Sequence, residues 1–420
     1  MYLRENDIYI SENENILFDL KGYRIFGITN SMREYLYNQN DKEENYLTKE
    51  ELEILNEILI ANNNDDDDAI EEGYGAVKIH VSNTCNLRCK YCYAKGGNYG
   101  TDSMLMNEKT AIKVVDFLKT EKKFENIEYI TFFGGEPLLN CDIIEYICEN
   151  TKDMNVKYLL QTNGTIVNSN IIRILKKYHI ILTVSLDGPQ YINDFNRIDM
   201  GGKGTYEKIV NNINVMREND INVRAIEATL SREFIGKYSK KEIADYIYGI
   251  TGAKLIKVEY DMSVQAKECD EELLVEIEHF FEQCVNGKYI VDNDAYRILK
   301  IFLSRQYSDY ICPAGNSVIT IDVQGNVFPC QFFVGLAQQK IDGVNNKKIM
   351  FNNMASIQKS RREECRNCSA RRTCSLCIAR GIKEEYCERN INLQKWTLEK
   401  FAEYVYNGKF DALYNNFSSL

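Results

Sequence analysis

Three cysteines stand close enough in the chain to share one inorganic group. Cys85-Asn-Leu-Arg-Cys89-Lys-Tyr-Cys92 puts three thiols within eight residues, directly after a β-rich run. Three soft ligands on one loop can hold an iron–sulfur cluster. Structural zinc normally takes four ligands, and the only further Cys or His nearby is His80 on the preceding run. Three ligands leave one iron open, free to bind a small molecule and pass it an electron. A second constellation lies towards the C-terminus. Cys312, Gly325 and Cys330 precede Cys365-x2-Cys368, Cys374-x2-Cys377 and Cys387. Two C-x2-C pairs flanked by outlying cysteines form a metal-binding pattern. From spacing alone, its four-cysteine core fits zinc as well as iron–sulfur. The other four cysteines, Cys141, Cys148, Cys269 and Cys284, fall on helical patterns and read as core fillers.

The chain around them is that of a globular protein. Its 420 residues suffice for two or three domains, and 44% are hydrophobic, enough for a sizeable core. The formal net charge of −11 argues against a nucleic-acid binder, which would carry a clustered basic surface. No apolar run approaches the ~20 residues of a membrane span. Met1–Ile10 is charged and lacks the apolar core of a secretory signal. The expected compartment is the cytoplasm, where cysteines more often bind metals or act in catalysis than form disulfides.

Positioning the first trio requires a particular framework. From Gly75 onward, β-rich runs alternate with helical patterns. The runs are Val77–Ser82, Ile127–Phe133, Tyr158–Gln161, Ile181–Leu186, Val223–Thr229 and Leu255–Tyr260. Helical patterns include Glu108–Thr120, Asn168–Tyr178 and Tyr206–Glu218. Such alternation predicts an α/β fold with a parallel sheet. Six units suggest a partial barrel, a (β/α)6, with chemistry at the C-terminal ends of the strands. Before it, Asp7–Ile10, Ile16–Leu20 and Tyr23–Ile28 read as short strands, and Ser31–Asn38 and Thr48–Ile60 as helices. Thr48 with Glu51 fits a capping box. The acidic stretch Ala61–Glu72, with Asp65–Asp68, reads as a linker. After Ile301 come short strands at Ser317–Asp322 and Asn326–Phe328, the cysteine-dense stretch and a helix at Leu393–Tyr406. The divisions are 1–60, linker 61–75, barrel 76–300, cysteine-rich domain 301–400 and C-terminal tail 401–420.

C-x3-C-x2-C with an aromatic residue, Tyr91, before the last cysteine resembles the radical S-adenosylmethionine (SAM) superfamily. The resemblance implies that the open iron chelates the amino and carboxylate groups of the methionine moiety. Electron transfer then cleaves the sulfonium bond to give a 5′-deoxyadenosyl radical. Further motifs follow the strands in order: Gly134-Gly135-Glu136-Pro137, Gln161-Thr-Asn-Gly164 and Ser185-Leu-Asp187-Gly-Pro189. In the family, the Gly-Gly-Glu turn binds the methionine ammonium through a backbone carbonyl and Glu136. Arg197 lies in Asn193-Asp-Phe-Asn-Arg197, where the family carries His at the position of Asn193, and is the implied partner of the cofactor carboxylate. The implied SAM-contacting set is Tyr91, Gly134, Gly135, Glu136, Ser185, Arg197 and Thr229.

Following such a domain, the C-terminal cysteines resemble the SPASM extension. Together the resemblances cover nearly all of residues 76–390. They imply three [4Fe–4S] clusters: one on Cys85, Cys89 and Cys92, a closed auxiliary cluster on Cys365, Cys368, Cys374 and Cys387, and an auxiliary cluster on Cys312, Cys330 and Cys377 with an open iron. Sulfatase-maturing relatives carry a further cysteine near the position of Val318 and an Asp at that of Gln331. Both departures argue against that reaction.

The expected activity is that of a radical SAM peptide maturase, an oxidoreductase resembling sactipeptide and ranthipeptide maturases. It abstracts a hydrogen from a precursor peptide and forms a thioether to a cysteine held on the open auxiliary cluster. A carbon–carbon crosslink, an epimer or a dehydro residue is the alternative product, and a non-enzymatic iron–sulfur or zinc module the more distant one. The partners are a leader-plus-core peptide containing cysteine and an electron donor such as flavodoxin or ferredoxin. Residues 1–60 resemble a winged-helix-like leader-recognition element, and fit a plain cap on the barrel equally well. His80, His179 and His279 are dispersed and read as structural. Glu227 and Glu259 fall on late strands, facing inward or outward. No residue stands out as the general base.

Overall fold

The computed structural model describes residues 1–3, 7–37, 47–61, 74–264, 272–305, 307–344 and 357–418. Cys269 and the acidic stretch 62–73 lie outside them. Six parallel strands form the centre: β5 (Ala76–Ser82), β6 (Tyr129–Gly134), β7 (Lys157–Thr162), β8 (Ile181–Ser185), β9 (Val223–Leu230) and β10 (Leu255–Tyr260). The expected partial barrel is therefore present, but its sheet is larger. It has ten strands in the order β11-β10-β9-β8-β7-β6-β5-β12-β13-β14. Here β11 is Ile290–Val291, β12 Val318–Ile321, β13 Asn326–Phe328 and β14 Asp342–Gly343. The order is linear, so the sheet does not close on itself.

The added strands change the domain boundary. Strand β12 pairs in parallel with β5, from Val318 opposite Ala76 to Ile321 opposite Ile79. Ile319, Ile321 and Val327 are fully buried in the same core as Val77 and Ile79. The first hairpin of the cysteine-rich region is thus fused to the barrel sheet rather than standing apart at residue 301.

Strand periodicity explains which side does chemistry. Successive side chains point to opposite faces. On β5, Val77, Ile79 and Val81 face the core, leaving Lys78 and His80 on the other side. The same alternation buries Ile226 and Ile256 while presenting Glu227, Thr229, Lys257 and Glu259. The outer face is covered by α3 (Glu108–Thr120), α4 (Cys141–Thr151), α5 (Ser169–Lys177), α7 (Tyr206–Glu218) and α8 (Lys240–Thr251). Local sequence starts these helices. The Asn107 side chain accepts from Thr110 N, Asn168 accepts from Ile171 N, and Ser239 with Glu242 forms a capping box. Each such cap contributes about 1 kcal/mol.

The N-terminal strands β1 (Tyr2–Leu3), β2 (Ile8–Ile10), β3 (Ile16–Asp19) and β4 (Arg24–Gly27) form an antiparallel meander. One face packs Ile8, Ile10 and Leu17 against α1 (Asn30–Tyr37) and α2 (Lys49–Ala61), the latter entered through the Thr48–Glu51 capping box. The other face joins a second core made by α9 (Leu273–Asn286), α10 (Asp294–Ser304), α12 (Glu384–Tyr406) and α13 (Phe410–Ser418). Phe18 lies 5.9 Å from Phe302 and 5.8 Å from Phe401, ring to ring. Burying each such ring is worth roughly 1.5–3 kcal/mol.

Two C-terminal expectations are corrected. The terminal helix begins at Glu384, not Leu393, which places Cys387 in its first turn. Glu384 and Glu385 favour that start by complementing the helix dipole. The 401–420 tail is the end of α12 followed by α13, whose Leu413 is fully buried.

Candidate active site

The loop after β5 carries the first trio. Cys85, Cys89 and Cys92 are half-buried free thiols. Burial pushes Cys89 up to about 12, and burial likewise raises Cys85, with their neighbours in the trio adding to both. The trio borders a cavity of about 330 Å³ on the inner face of the sheet, within the usual range for small-molecule sites. Among the described residues, no three His, Cys, Asp or Glu side chains close around one metal position. Thiolates that each bind a different iron of a cluster need not converge on one point.

The Gly-Gly turn after β6 lies against this loop. Gly135 N donates to Ser82 O at 2.8 Å, and Glu136 N to Thr84 O at 2.9 Å. Gly134 has φ +136°, and a Cβ there would stand 2.1 Å from Ser82 O. Only glycine permits both the backbone conformation and this approach. Gly134, Gly135, Tyr91, Ser185, Arg197 and Thr229 all line the cavity.

Glu136 is placed otherwise than the resemblance implies. It is fully buried beneath the turn and does not line the cavity. Its carboxylate accepts from Leu138 N at 3.0 Å, Thr162 Oγ1 at 2.8 Å and Asn163 N at 2.8 Å. Burial raises it to about 7 despite these donors. Glu136 therefore ties the turn to the end of β7. The polar contact there comes instead from Asn163, whose Nδ2 lies 3.6 Å from Cys85 Sγ.

Asp187 holds three parts of the wall together, a role that the sequence motif did not assign. It is 1% exposed. It accepts from Tyr91 Oη at 2.7 Å and Thr229 N at 2.9 Å, and pairs with Arg197 Nε at 3.0 Å. Arg197 also packs against the Tyr91 ring, 5.5 Å from its centroid. The cluster loop, the end of α6 (Gln190–Asn196) and the end of β9 thus meet on one carboxylate.

Glu227 and Glu259 both face inward. Gln161 Nε2 donates to Glu227 at 2.5 Å, and Lys257 stands 3.9 Å from Glu227 and 4.0 Å from Glu259. Lys78 and Lys257 were also missed. The signal was available, since a lysine alternating with buried aliphatics on a strand marks a polar inner face. The histidines have packed positions. His80 is buried between Tyr99 and Phe133, and His279 bonds Tyr289 Oη at 2.8 Å. His179 occupies a positive-φ position after α5.

A second cavity of about 360 Å³ adjoins the first and shares Tyr91, Thr229, Lys257, Glu259 and Phe332 with it. Cys377, which is exposed, lies on its wall. Cys312 and Cys377 sit close enough to Cys330 to reinforce the rise to about 11 that burial imposes on it. Cys365, Cys368 and Cys387 act in the same way on Cys374, which burial raises to about 12. In both cases burial is the larger cause and the neighbouring cysteines add to it.

A Radical SAM superfamily model matches residues 79–239. The chain is 26% identical over 314 residues to a cysteine-type anaerobic sulfatase-maturating enzyme of Clostridium novyi (strain NT), covering 69% of this chain and 83% of that protein. It is 25% identical over 276 residues to the radical SAM cyclopropyl synthase TigE of Paramaledivibacter caminithermalis, covering 61% of this chain and 57% of that one. Among solved structures, native anSMEcpe with bound AdoMet has a TM-score of 0.62 at 19% identity, covering 81% of this chain and 100% of its own. Streptococcus suis SuiB bound to precursor peptide SuiA has a TM-score of 0.53 at 15% identity, covering 90% and 96%. These likenesses extend the shared fold well beyond the matched domain. Residues 79–239 of the chain are a radical SAM domain. Such a domain implies SAM and one [4Fe–4S] cluster, and the cavity suits them. It offers three soft thiols, a glycine turn that a Cβ would fill and a buried guanidinium. No helix among the described residues is long and apolar enough to cross a membrane.

Proposed function

We propose that this enzyme is a peptide maturase that abstracts a hydrogen from a precursor peptide and joins that carbon to a cysteine sulfur. The observation that carries the reading is the pair of adjoining cavities. One is bordered by Cys85, Cys89 and Cys92, and the other by the exposed Cys377. Cys85, Cys89 and Cys92 would hold the radical SAM cluster. Cys312, Cys330 and Cys377 would hold an auxiliary cluster, and Cys365, Cys368, Cys374 and Cys387 a closed one. The cluster with SAM would supply the radical that takes the carbon's hydrogen, and the auxiliary cluster would accept the second electron as the cysteine thiol loses its proton.

The chain's own residues do the rest. Tyr91, Gly134, Gly135, Ser185, Arg197 and Thr229 shape the cofactor wall, and Asp187 fixes three of its segments. Glu227, Lys257 and Glu259 line the passage towards the second cavity, where charged groups can orient a peptide. Gln331 lines the first cavity as a neutral group, and the carboxylates on that cavity's wall are Glu227 and Glu259.

Among the described residues the outer edge of β4 has no strand partner, and it borders a groove of about 700 Å³ formed with α10, α12 and α13. An extended leader segment would add to β4 by strand pairing. The structure of SuiB with its precursor peptide SuiA supports the peptide class, and the sulfatase-maturating relative fits a protein substrate.

The test is anaerobic reaction of the holoenzyme with short peptides encoded next to its gene, Cys-containing and Cys-free. Thioether formation makes the product about two hydrogens lighter per crosslink, with 5′-deoxyadenosine released. Deoxyadenosine release with unchanged peptide mass would refute thioether formation, and release with loss of mass at a Cys-free peptide would favour a carbon–carbon crosslink or dehydro residue.

A further inference from the structure

The cluster loop has an outer surface as well as an inner one. Its exposed charged side chains are Arg88, Lys90 and Lys95, all cationic. Among the described residues, none of the three has a carboxylate partner within salt-bridge range. Arg88 is held flat by donating to Cys85 O at 2.8 Å and Leu87 O at 2.7 Å. Lys90 N donates to Asn196 O, and its Nζ lies 3.2 Å above the Phe195 ring. That contact joins the cationic loop to an apolar patch. Tyr191 is 51% exposed, Phe195 37% and Met200 71%. Tyr191 and Phe195 both pack on Phe234, which joins these two rings, and Met200 lies in the turn after Ile198, whose carbonyl accepts from Arg88 N.

This surface is at odds with the chain's net charge of −11. At physiological ionic strength, exposed charges act over about 8 Å. A partner approaching this loop therefore meets its three cations, while Asp199, bridged to Leu87, accepts from Gly201 N and Lys203 N. Aromatic residues and Met at the centre of a patch with charge at its rim suit association with another protein.

We infer that the outer face of the Cys85–Lys95 loop, with Tyr191, Phe195 and Met200 beside it, docks an acidic, low-potential one-electron carrier protein. The inference rests on the cluster assignment to Cys85, Cys89 and Cys92. The three thiols belong to this same loop, and they also border the cofactor cavity. Electron tunnelling falls steeply with distance, so the outer face offers a short route in. The step is a single electron transfer: the carrier is oxidised by one electron and the cluster is reduced by one, with no bond made or broken. Electron-transfer encounters of this kind are small, under about 1,200 Å², and depend on charge for speed.

The experiment compares two reductants on the anaerobic holoenzyme: flavodoxin prepared as its hydroquinone, and dithionite. The readout is 5′-deoxyadenosine formation from SAM. Lys90→Glu combined with Lys95→Glu lowers the flavodoxin-driven rate at least about tenfold and flattens its dependence on salt. The dithionite-driven rate and the iron content stay at the wild-type level. Phe195→Ser lowers only the flavodoxin-driven rate, by a smaller factor. Equal loss in both arms would mean damage to the loop, and no loss in either would mean that electrons enter elsewhere, for instance through the C-terminal thiol groups. Either result overturns the docking surface. Wild-type enzyme that forms no deoxyadenosine with dithionite overturns the cluster assignment, and the docking surface with it.

Discussion

Asp187→Asn isolates the electrostatic part of the site from its shape. The side chain is 1% exposed and makes three contacts, with Tyr91 Oη, Thr229 N and Arg197 Nε. Asn keeps the volume, can still accept from Thr229 N, and lets the Tyr91 hydroxyl turn to accept. It removes the charge that faces the buried Arg197 guanidinium. Breaking a buried ion pair from one side costs about 3–5 kcal/mol. Arg197 borders the cavity and keeps some access to water, so the lower figure applies, about 3 kcal/mol. For a unit of about 200 residues, that corresponds to a fall in melting temperature of roughly 6–12 °C. Thermal denaturation of the anaerobic holoenzyme, followed by circular dichroism, measures it. Arg197→Leu completes a double-mutant cycle. Because each single variant strands the partner's charge, the double variant should be at least about 1.5 kcal/mol more stable than the sum of singles. Single effects that add to within about 0.5 kcal/mol would refute the view that Asp187 and Arg197 act as one unit.

Other consequences follow from the same structure. Burial first, and then Lys241, lower His279 to about 4. Its ordinary value is 6.5, so the unfolded chain binds the proton more readily. Stability is complete above pH 6.5 and declines as pH falls towards 4, by about 3 kcal/mol in all. His279→Gln should flatten that acid limb in a series of denaturation curves, and an unchanged limb would refute the assignment. Glu399 on α12 accepts from Tyr9 Oη, Ser11 Oγ and Glu12 N at 2.5, 2.8 and 2.8 Å. Glu399→Ala should therefore speed hydrogen exchange in β2 and β3 by loosening the turn between them, while SAM cleavage is unaffected. Replacing Cys312, Cys330 and Cys377 together by Ala should remove about four iron atoms per chain and leave deoxyadenosine formation intact, whereas loss of all iron would refute the division into three and four.

Much of this could be read along the chain. The six central strands coincide with their predicted runs to within one or two residues, because aliphatic alternation, turn residues and helix caps are all local signals. The cysteine trio and the Gly-Gly turn were legible for a similar reason: adjacent positions must approach each other closely, which restricts residue type. Val77-Lys78-Ile79-His80-Val81 even announces a polar inner face by its period of two. The reach of β12 back to β5 was not legible, since parallel pairing between strands more than 200 residues apart leaves no local mark. Nor was the early start of α12 recognised, although Glu384 and Glu385 signalled it.

The amino-acid sequence by itself determined the inventory of thiols, the strand-end position of the cysteine trio and the glycine turn beside it. These depend on side-chain chemistry and local backbone geometry. Only the tertiary structure decided how that inventory is used. It put Glu136 under the turn rather than in the cavity, made Asp187 the common anchor of three segments, and brought Cys377 to a cavity that adjoins the radical site. Each of these depends on which distant backbone donors, cations and walls surround a side chain after folding. Burial and partnership are properties of the packed chain, and no spacing of residues encodes them alone.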